Sequence, residues 1–307
     1  RQFTNKGSKN PSLYGVSTMV ATSERMEKYF ESTEKEVLYE YDKAKAAKEM
    51  GFDCEEKVDI KLAKNMAERV EGLISVVAQQ LVGSGVTERI IELEKEYEPM
   101  DWRVALKIAL EVAQEKFCTF KDKREAMEVG IRTGFAYQTA GIVAAPLEGF
   151  TELKIRQTYD GKEYFVPCYA GPIRGAGGTA AAFSLLLTDY VRVHMGYAKY
   201  DPSEKEVNRY KGEIYDYHER VTNLQYLPSM EELDFLMRHL PVQVDGEPTE
   251  TKDVSNYKDT PRVETNKIRG GICLVLAEGL SQKAPKLWKR LEEWGKEFGI
   301  EWDFLGE

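Results

Sequence analysis

The sequence predicts an α+β fold that is predominantly helical, with about nine helices and one small antiparallel sheet of two to three strands. Three observations carry that expectation. From Ser23 to Gln138 apolar residues recur at three- and four-residue steps, interrupted by glycine, proline and capping residues. Thr151–Tyr159 and Lys162–Tyr169 instead alternate around Asp160–Gly161, a two-residue hairpin signal. From Gly178 onward the helical step returns, punctuated by Ser203, Pro228–Ser229 and Ala284–Pro285.

In chain order, Arg1 to Thr18 is polar and aperiodic and reads as an expression leader ahead of a natural start at Met19. Ser23 to Met50 forms a long helix, ended by Gly51, with a narrow stripe of Met26, Phe30, Thr33, Val37, Tyr41 and Ala44. Its other face is so charged that the stripe suits docking onto a partner, with Met26, Phe30, Val37 and Tyr41 as assembly residues. An ordinary core-facing stripe is the alternative. After a polar connector, Leu62 to Val82 reads as a second helix carrying Met66, Val70, Leu73, Val77 and Leu81, broken by Gly83-Ser-Gly85. Thr87 to Tyr97 follows and Pro99 ends it. Asp101 caps a helix through Trp102, Leu106, Ala109, Leu110 and Ala113, and another spans Lys121 to Gln138.

The hairpin delivers the chain into a glycine-rich loop. Gly178 to His194 is then helical, with Phe183, Leu186, Leu187, Tyr190 and Val191 inward. Ser203 caps a helix to about Tyr217, Pro228–Ser229 start one ending near His239, and Val242 to Tyr257 reads as an exposed loop. The last helix opens at Ala284–Pro285 and carries Trp288, Leu291 and Trp294. The expected organisation is a leader (1–18), an amphipathic docking segment (19–52), a helical subdomain (53–145) and an α+β subdomain (146–307).

Composition narrows the function. The 307 residues carry a net charge of −9, which argues against coating nucleic acid by bulk attraction. Apolar runs fall well short of the ~18 residues of a membrane span, and no secretory signal is visible. Cys54, Cys118, Cys168 and Cys273 are scattered, as reduced thiols of a cytoplasmic protein would be, not as a disulfide frame or zinc site. His194, His218 and His239 are too widely spaced to suggest a ligand pair.

The chain turns on Tyr169-Ala-Gly-Pro-Ile-Arg-Gly-Ala-Gly-Gly-Thr-Ala-Ala-Ala182. A glycine-rich loop running into a helix start presents unpaired N–H groups backed by the positive end of the helix, a cradle for phosphate. A tight turn packed against a neighbour is the equal alternative. No lysine precedes Thr179, so the loop is not a Walker A motif. Gly175-x-Gly177-x-x-Ala180 fits the looser dinucleotide fingerprint, but a hairpin precedes it and no second parallel strand follows, against nicotinamide binding. Gly270 to Gly279 repeats the theme of paired glycines opening an apolar segment. Between Asn266 and Arg290 stand Lys267, Arg269, Lys283, Lys286, Lys289 and Arg290 against Glu278 alone, a local basic excess on an acidic body.

Ala170-Gly-Pro-Ile-Arg-Gly-Ala-Gly-Gly-Thr-Ala180, Arg269-Gly-Gly-Ile-Cys-Leu-Val-Leu-Ala-Glu-Gly279, Lys283-Ala-Pro-Lys286 and Ala67-Glu-Arg-Val-Glu-Gly72 together resemble the N-terminal region of the large subunit of the archaeal family-D DNA polymerase, from about Met19 onward. One departure is Gly175, where the family usually shows serine. The resemblance implies a subunit several times longer than this chain, paired with a small 3′–5′ exonuclease subunit in a replicative polymerase. It also implies magnesium-binding aspartates beyond residue 307, so no cofactor is expected within this chain.

The residues agree independently. Nucleotidyl transfer needs metal ions held by neighbouring carboxylates, and no Asp-x-Asp occurs. Three readings follow. The first is a non-catalytic DNA-binding and assembly module, with Arg174, Gly177, Gly178, Thr179, Lys267, Arg269, Lys283 and Lys286 on phosphates and the downstream catalytic region, the exonuclease subunit or a second copy as protein partners. The second is a scaffold whose glycine loops serve packing alone. The third is a nucleotide-binding enzyme using Gly175–Thr179. Salt-dependent DNA affinity, its absence, or stabilisation by a nucleotide would separate them.

Overall fold

The computed structural model describes residues 24–52, 63–139 and 142–306, which fall into two units divided between Leu62 and Ala63. In the first, α1 (Glu24–Glu49) is a single helix. Val37, Tyr41 and Ala44 are half-buried at helical spacing, while Leu38 and Tyr39 are exposed. The side chains of Met26 and Phe30, and Cys54, lie outside the described residues.

The second unit is predominantly helical with a two-stranded antiparallel sheet, the α+β class expected. α2 (Met66–Ile74) starts at Asn65, whose side chain accepts from the Glu68 N–H. It ends eight residues earlier than the expected stop at Val82. At Ser75 the hydroxyl donates to the Gly72 carbonyl and the chain leaves the helix through short turns, so Val77 is exposed instead of sharing a face with Val70. α3 (Val86–Tyr97) and α4 (Trp102–Ala113) follow, and Asp101 caps α4 by accepting from the Arg103 N–H at 2.8 Å.

α5 (Lys123–Thr139) lies along α4 at very short range. A Cβ at Gly130 would sit 2.4 Å from the Ala109 carbonyl oxygen, and one at Gly134 would sit 2.5 Å from that of Ala105. Glycines on α5 facing alanines on α4 thus let two backbones touch, and the pair forms the floor of the core. One continuous apolar cluster runs from Ala67 to Trp302, and Trp102 of α4 packs on Phe183 at a ring separation of 4.7 Å.

β1 (Phe150–Gln157) pairs with β2 (Glu163–Tyr169). The turn is longer than the two residues expected. Gly161 N–H donates to Thr158 O, Thr158 N–H donates to Lys162 O, and only Gly161, at φ 83°, takes the left-handed region. Asp160 keeps negative φ, so the connection is a bulged type I turn.

α6 (Gly178–His194) has both bounds expected, and after it the chain returns to β2 through isolated parallel bridges at Ala198–Tyr164 and Asp245–Cys168. α7 (Glu204–Arg220) and α8 (Met230–His239) each open with a complete capping box, Ser203 with Glu206 and Ser229 with Glu232. The expected exposed loop from Val242 is a correction. Val242 to Asp245 is buried along β2, with Gln243 N–H donating to Phe165 O and Asp245 N–H to Pro167 O. Asp245 survives there because Arg156 and Arg269 pair with it.

The last helical stretch also begins earlier than expected. A short α9 (Gly270–Cys273) runs through a π-helical segment, Leu274–Ser281, into α10 (Gln282–Trp294). Pro285 lies inside α10 and lacks an N–H, and the π-helical segment ends just before it. The π-helical segment packs on α6 and carries Glu278 to the start of that helix.

Candidate nucleic-acid interface

After β2 the chain makes a 3-10 turn, Gly171–Ala176, into α6. Buried Ile173 anchors the turn, and its N–H donates to Ala170 O at 3.1 Å. Arg174, Gly175 and Gly177 stay exposed. Gly177 holds φ 76° at the helix start, and no side chain caps α6. The first-turn N–H groups, those of Gly178 and Thr179 among them, therefore stand at the positive end of a seventeen-residue helix without a capping partner.

A cleft of about 320 Å³ opens at this point, lined by Arg174, Gly177, Gly178, Glu278, Gln282 and Lys283 among others. The approach of the π-helical segment is what forms it. A Cβ at Gly178 would lie 2.3 Å from the Glu278 carbonyl oxygen and 2.9 Å from Lys283 Cε. Lys286 Nζ donates to Thr179 Oγ1 at 3.3 Å, so α10 brings a second lysine to the same helix start. Glu278, buried, accepts from the Gln225 N–H at 2.9 Å, and Arg174 Nη2 stands 3.5 Å from the same oxygen.

Gly178→Ala is therefore expected to destabilise the unit by about 1–3 kcal/mol, because backbone cannot yield as a side-chain tip can. Gly175→Ser is expected to be neutral, since a Cβ there meets only Ile142 Cγ2, at 3.7 Å, an ordinary contact. Chemical denaturation of the two variants separates these outcomes, and an equal loss in both would contradict the geometry.

Six of the residues expected on phosphates thus gather at one place: Arg174, Gly177, Gly178, Thr179, Lys283 and Lys286, although the Gly177 N–H is already donated to the Arg174 carbonyl at 3.1 Å. Two do not. Lys267 is exposed beside its bridge to Asp253, and no contact among the described residues joins it to the cleft. Arg269 is a correction. It is fully buried, with Nε and Nη2 on the Glu213 carboxylate at 3.1 and 2.7 Å and Nη1 on Asp245, so a phosphate cannot reach it and its charge is already matched by two carboxylates. Burial opposes its charge, but Glu213 and Asp245 outweigh that and hold the guanidinium protonated. Burial likewise opposes the Asp245 charge, yet Arg269 and Arg156 pull its carboxyl below the ordinary aspartate value.

The second glycine pair serves packing. A Cβ at Gly271 would lie 2.4 Å from Tyr169 O, and the Gly270 N–H donates to Thr249 Oγ1 at 2.7 Å. The two glycine stretches do meet, through Gly271 against Tyr169–Ala170, but only the first presents donors outward. Arg290 stacks on Trp102 at 4.6 Å, and its stem belongs to packing as much as to the surface. Sequence reasoning missed Glu278 and Gln225 as cleft residues. The one signal was Glu278 standing as the sole acid in a basic stretch.

Residues 28–307 match the family model described as DNA polymerase II large subunit DP2, N-terminal. The chain is 49% identical over 280 residues to the DNA polymerase II large subunit of Nanoarchaeum equitans, covering 91% of this chain and 22% of that protein. It is 43% identical over 284 residues to the protein of that name from Thermoplasma volcanium, covering 91% and 25%. With that of Archaeoglobus fulgidus it shares 44% over 279 residues, covering 91% and 23%. The chain spans about a quarter of the length of these relatives.

Proposed function

From a chain that belongs to the N-terminal family of the DNA polymerase II large subunit, we propose a module that grips the sugar–phosphate backbone of DNA while the rest of the subunit carries out nucleotidyl transfer. The observation that supports it is the convergence, at one cleft, of an uncapped helix start with Arg174, Lys283 and Lys286. Backbone donors and flexible cations position a strand without reading its sequence. A net charge of −9 keeps binding confined to where shape also fits.

α1 serves assembly in this reading. Its exposed Leu38 and Tyr39, beside Val37 and Tyr41, suit docking onto the downstream region, the small exonuclease subunit or a second copy. Magnesium belongs to the full-length enzyme's catalytic region.

The test is fluorescence anisotropy with a labelled oligodeoxynucleotide across a salt series. Neutralising two to three phosphates gives a slope of log affinity against log salt of about −2 to −3. Weak binding that ignores salt would leave the packing-scaffold reading in its place.

A further inference from the structure

A buried carboxylate in an anion cleft calls for an explanation, because it opposes the ligand the cleft otherwise attracts. Glu278 lines the same cleft as Gly177, Gly178, Arg174 and Lys283. One of its oxygens takes the Gln225 N–H at 2.9 Å and faces Arg174 Nη2 at 3.5 Å. Glu278 is therefore fixed from the rear by backbone and only loosely balanced from the front. Its main-chain carbonyl packs against Gly178, which ties the acid to the helix start through a contact no flexible side chain mediates.

We propose that Glu278 makes the cleft selective for internal phosphodiesters over phosphate monoesters and nucleotides. This rests on the DNA-backbone reading above and names the charge state that the cleft accepts. A diester phosphate carries one negative charge, whereas a monoester carries about two near neutral pH. The repulsion from the Glu278 carboxylate at the rear scales with ligand charge, so it takes about twice as much from the attraction of a dianion as from that of a monoanion at the same spot. A polyanionic strand tolerates the carboxylate because Lys283 and Lys286 engage its neighbouring phosphates from the rim. A free nucleotide has no such extension along α10. A replication protein working among nucleotides thereby keeps its backbone cleft clear of them.

The experiment compares wild type, Glu278→Gln and Glu278→Asp by calorimetric titration with inorganic phosphate and a deoxynucleoside triphosphate, and by anisotropy with an oligodeoxynucleotide lacking terminal phosphates. Glutamine keeps the shape and can still accept the Gln225 N–H. Glu278→Gln is expected to gain about tenfold or more in affinity for phosphate and triphosphate, and less for the oligonucleotide. Glu278→Asp, still charged, is expected to match wild type. A folded Glu278→Gln that stays blind to phosphate overturns the proposal, as does an equal gain in Glu278→Asp. Should glutamine prevent folding, wild type alone decides. Adding a terminal phosphate to the oligonucleotide should leave its affinity unchanged, and a tenfold gain would overturn selectivity against dianions. If no variant binds the oligonucleotide while Glu278→Gln gains phosphate, the DNA reading falls and the charge-exclusion role of Glu278 stands.

Discussion

Replacing Arg269 by methionine is expected to cost about 3–5 kcal/mol of stability, because it strands buried carboxylates that lose a partner they cannot replace with water. Glu213 has no exposed surface, and with the Arg269 side chain gone it keeps one charged partner, Arg209 Nε at 3.1 Å, beside the backbone N–H of residue 269 at 2.7 Å. Arg209 is itself short of partners, since its Nη1 is buried without one. Asp245 would keep Arg156 Nη2 at 2.6 Å. For a unit of this size the loss corresponds to a melting temperature lower by about 6–20 °C. Adding Glu213→Gln should recover part of it, since the two sites share one network.

The same network has a pH signature. Asp245 titrates below its ordinary value, so its contribution is present above the usual aspartate range and is lost as pH falls through the lowered folded value. In Arg269→Met that value rises, and acid unfolding should begin at higher pH than in wild type. Salt-dependent DNA binding, measured where the variant is folded, should be unchanged. A loss of DNA affinity with intact stability would reverse the assignment of Arg269 to the interior.

What could be read from the sequence is what local chemistry decides. α6 starts where Gly177–Gly178 meet a run of alanines and ends before Gly196. Ser203 and Ser229 mark helix starts because the capping bond closes within three residues. What could not be read depends on distant partners. Arg269 stands beside a glycine pair and has every local mark of a phosphate ligand, but Glu213 lies 56 positions away and Asp245 lies 24 away. Val242–Asp245 is polar enough to read as a loop, and only its ladder with β2 accounts for its burial. The cleft was half legible for the same reason. Glycines and lysines announce an anion site, while the acid behind them acquires meaning only when the π-helical segment folds against α6.

Neutralising the rim of the cleft should have the largest effect on DNA. In a triple variant, Arg174→Gln, Lys283→Gln and Lys286→Gln, affinity at moderate salt is expected to fall on the order of a hundredfold. Three full phosphate contacts would account for a change in salt slope near 2.7 on duplex DNA, at about 0.9 each. Arg174 contributes less than a full contact, because Glu278 already balances part of its charge at 3.5 Å. The expected change in slope is therefore about 2, with Lys283→Gln and Lys286→Gln each accounting for more of it than Arg174→Gln. Stability should move by no more than about 0.5 kcal/mol, since Arg174 is exposed and only loosely paired with Glu278, which keeps the Gln225 N–H. Lys258→Gln serves as the control: its exposed amine pairs with Asp253 at 3.0 Å and lines no part of the cleft. A triple variant with wild-type slope would move DNA contact away from α6 and leave the glycine-rich loop as a packing device. A fall equal in both slope and stability would instead mean that the lysines hold the helix start in place, with Lys286 on Thr179 as the bond responsible.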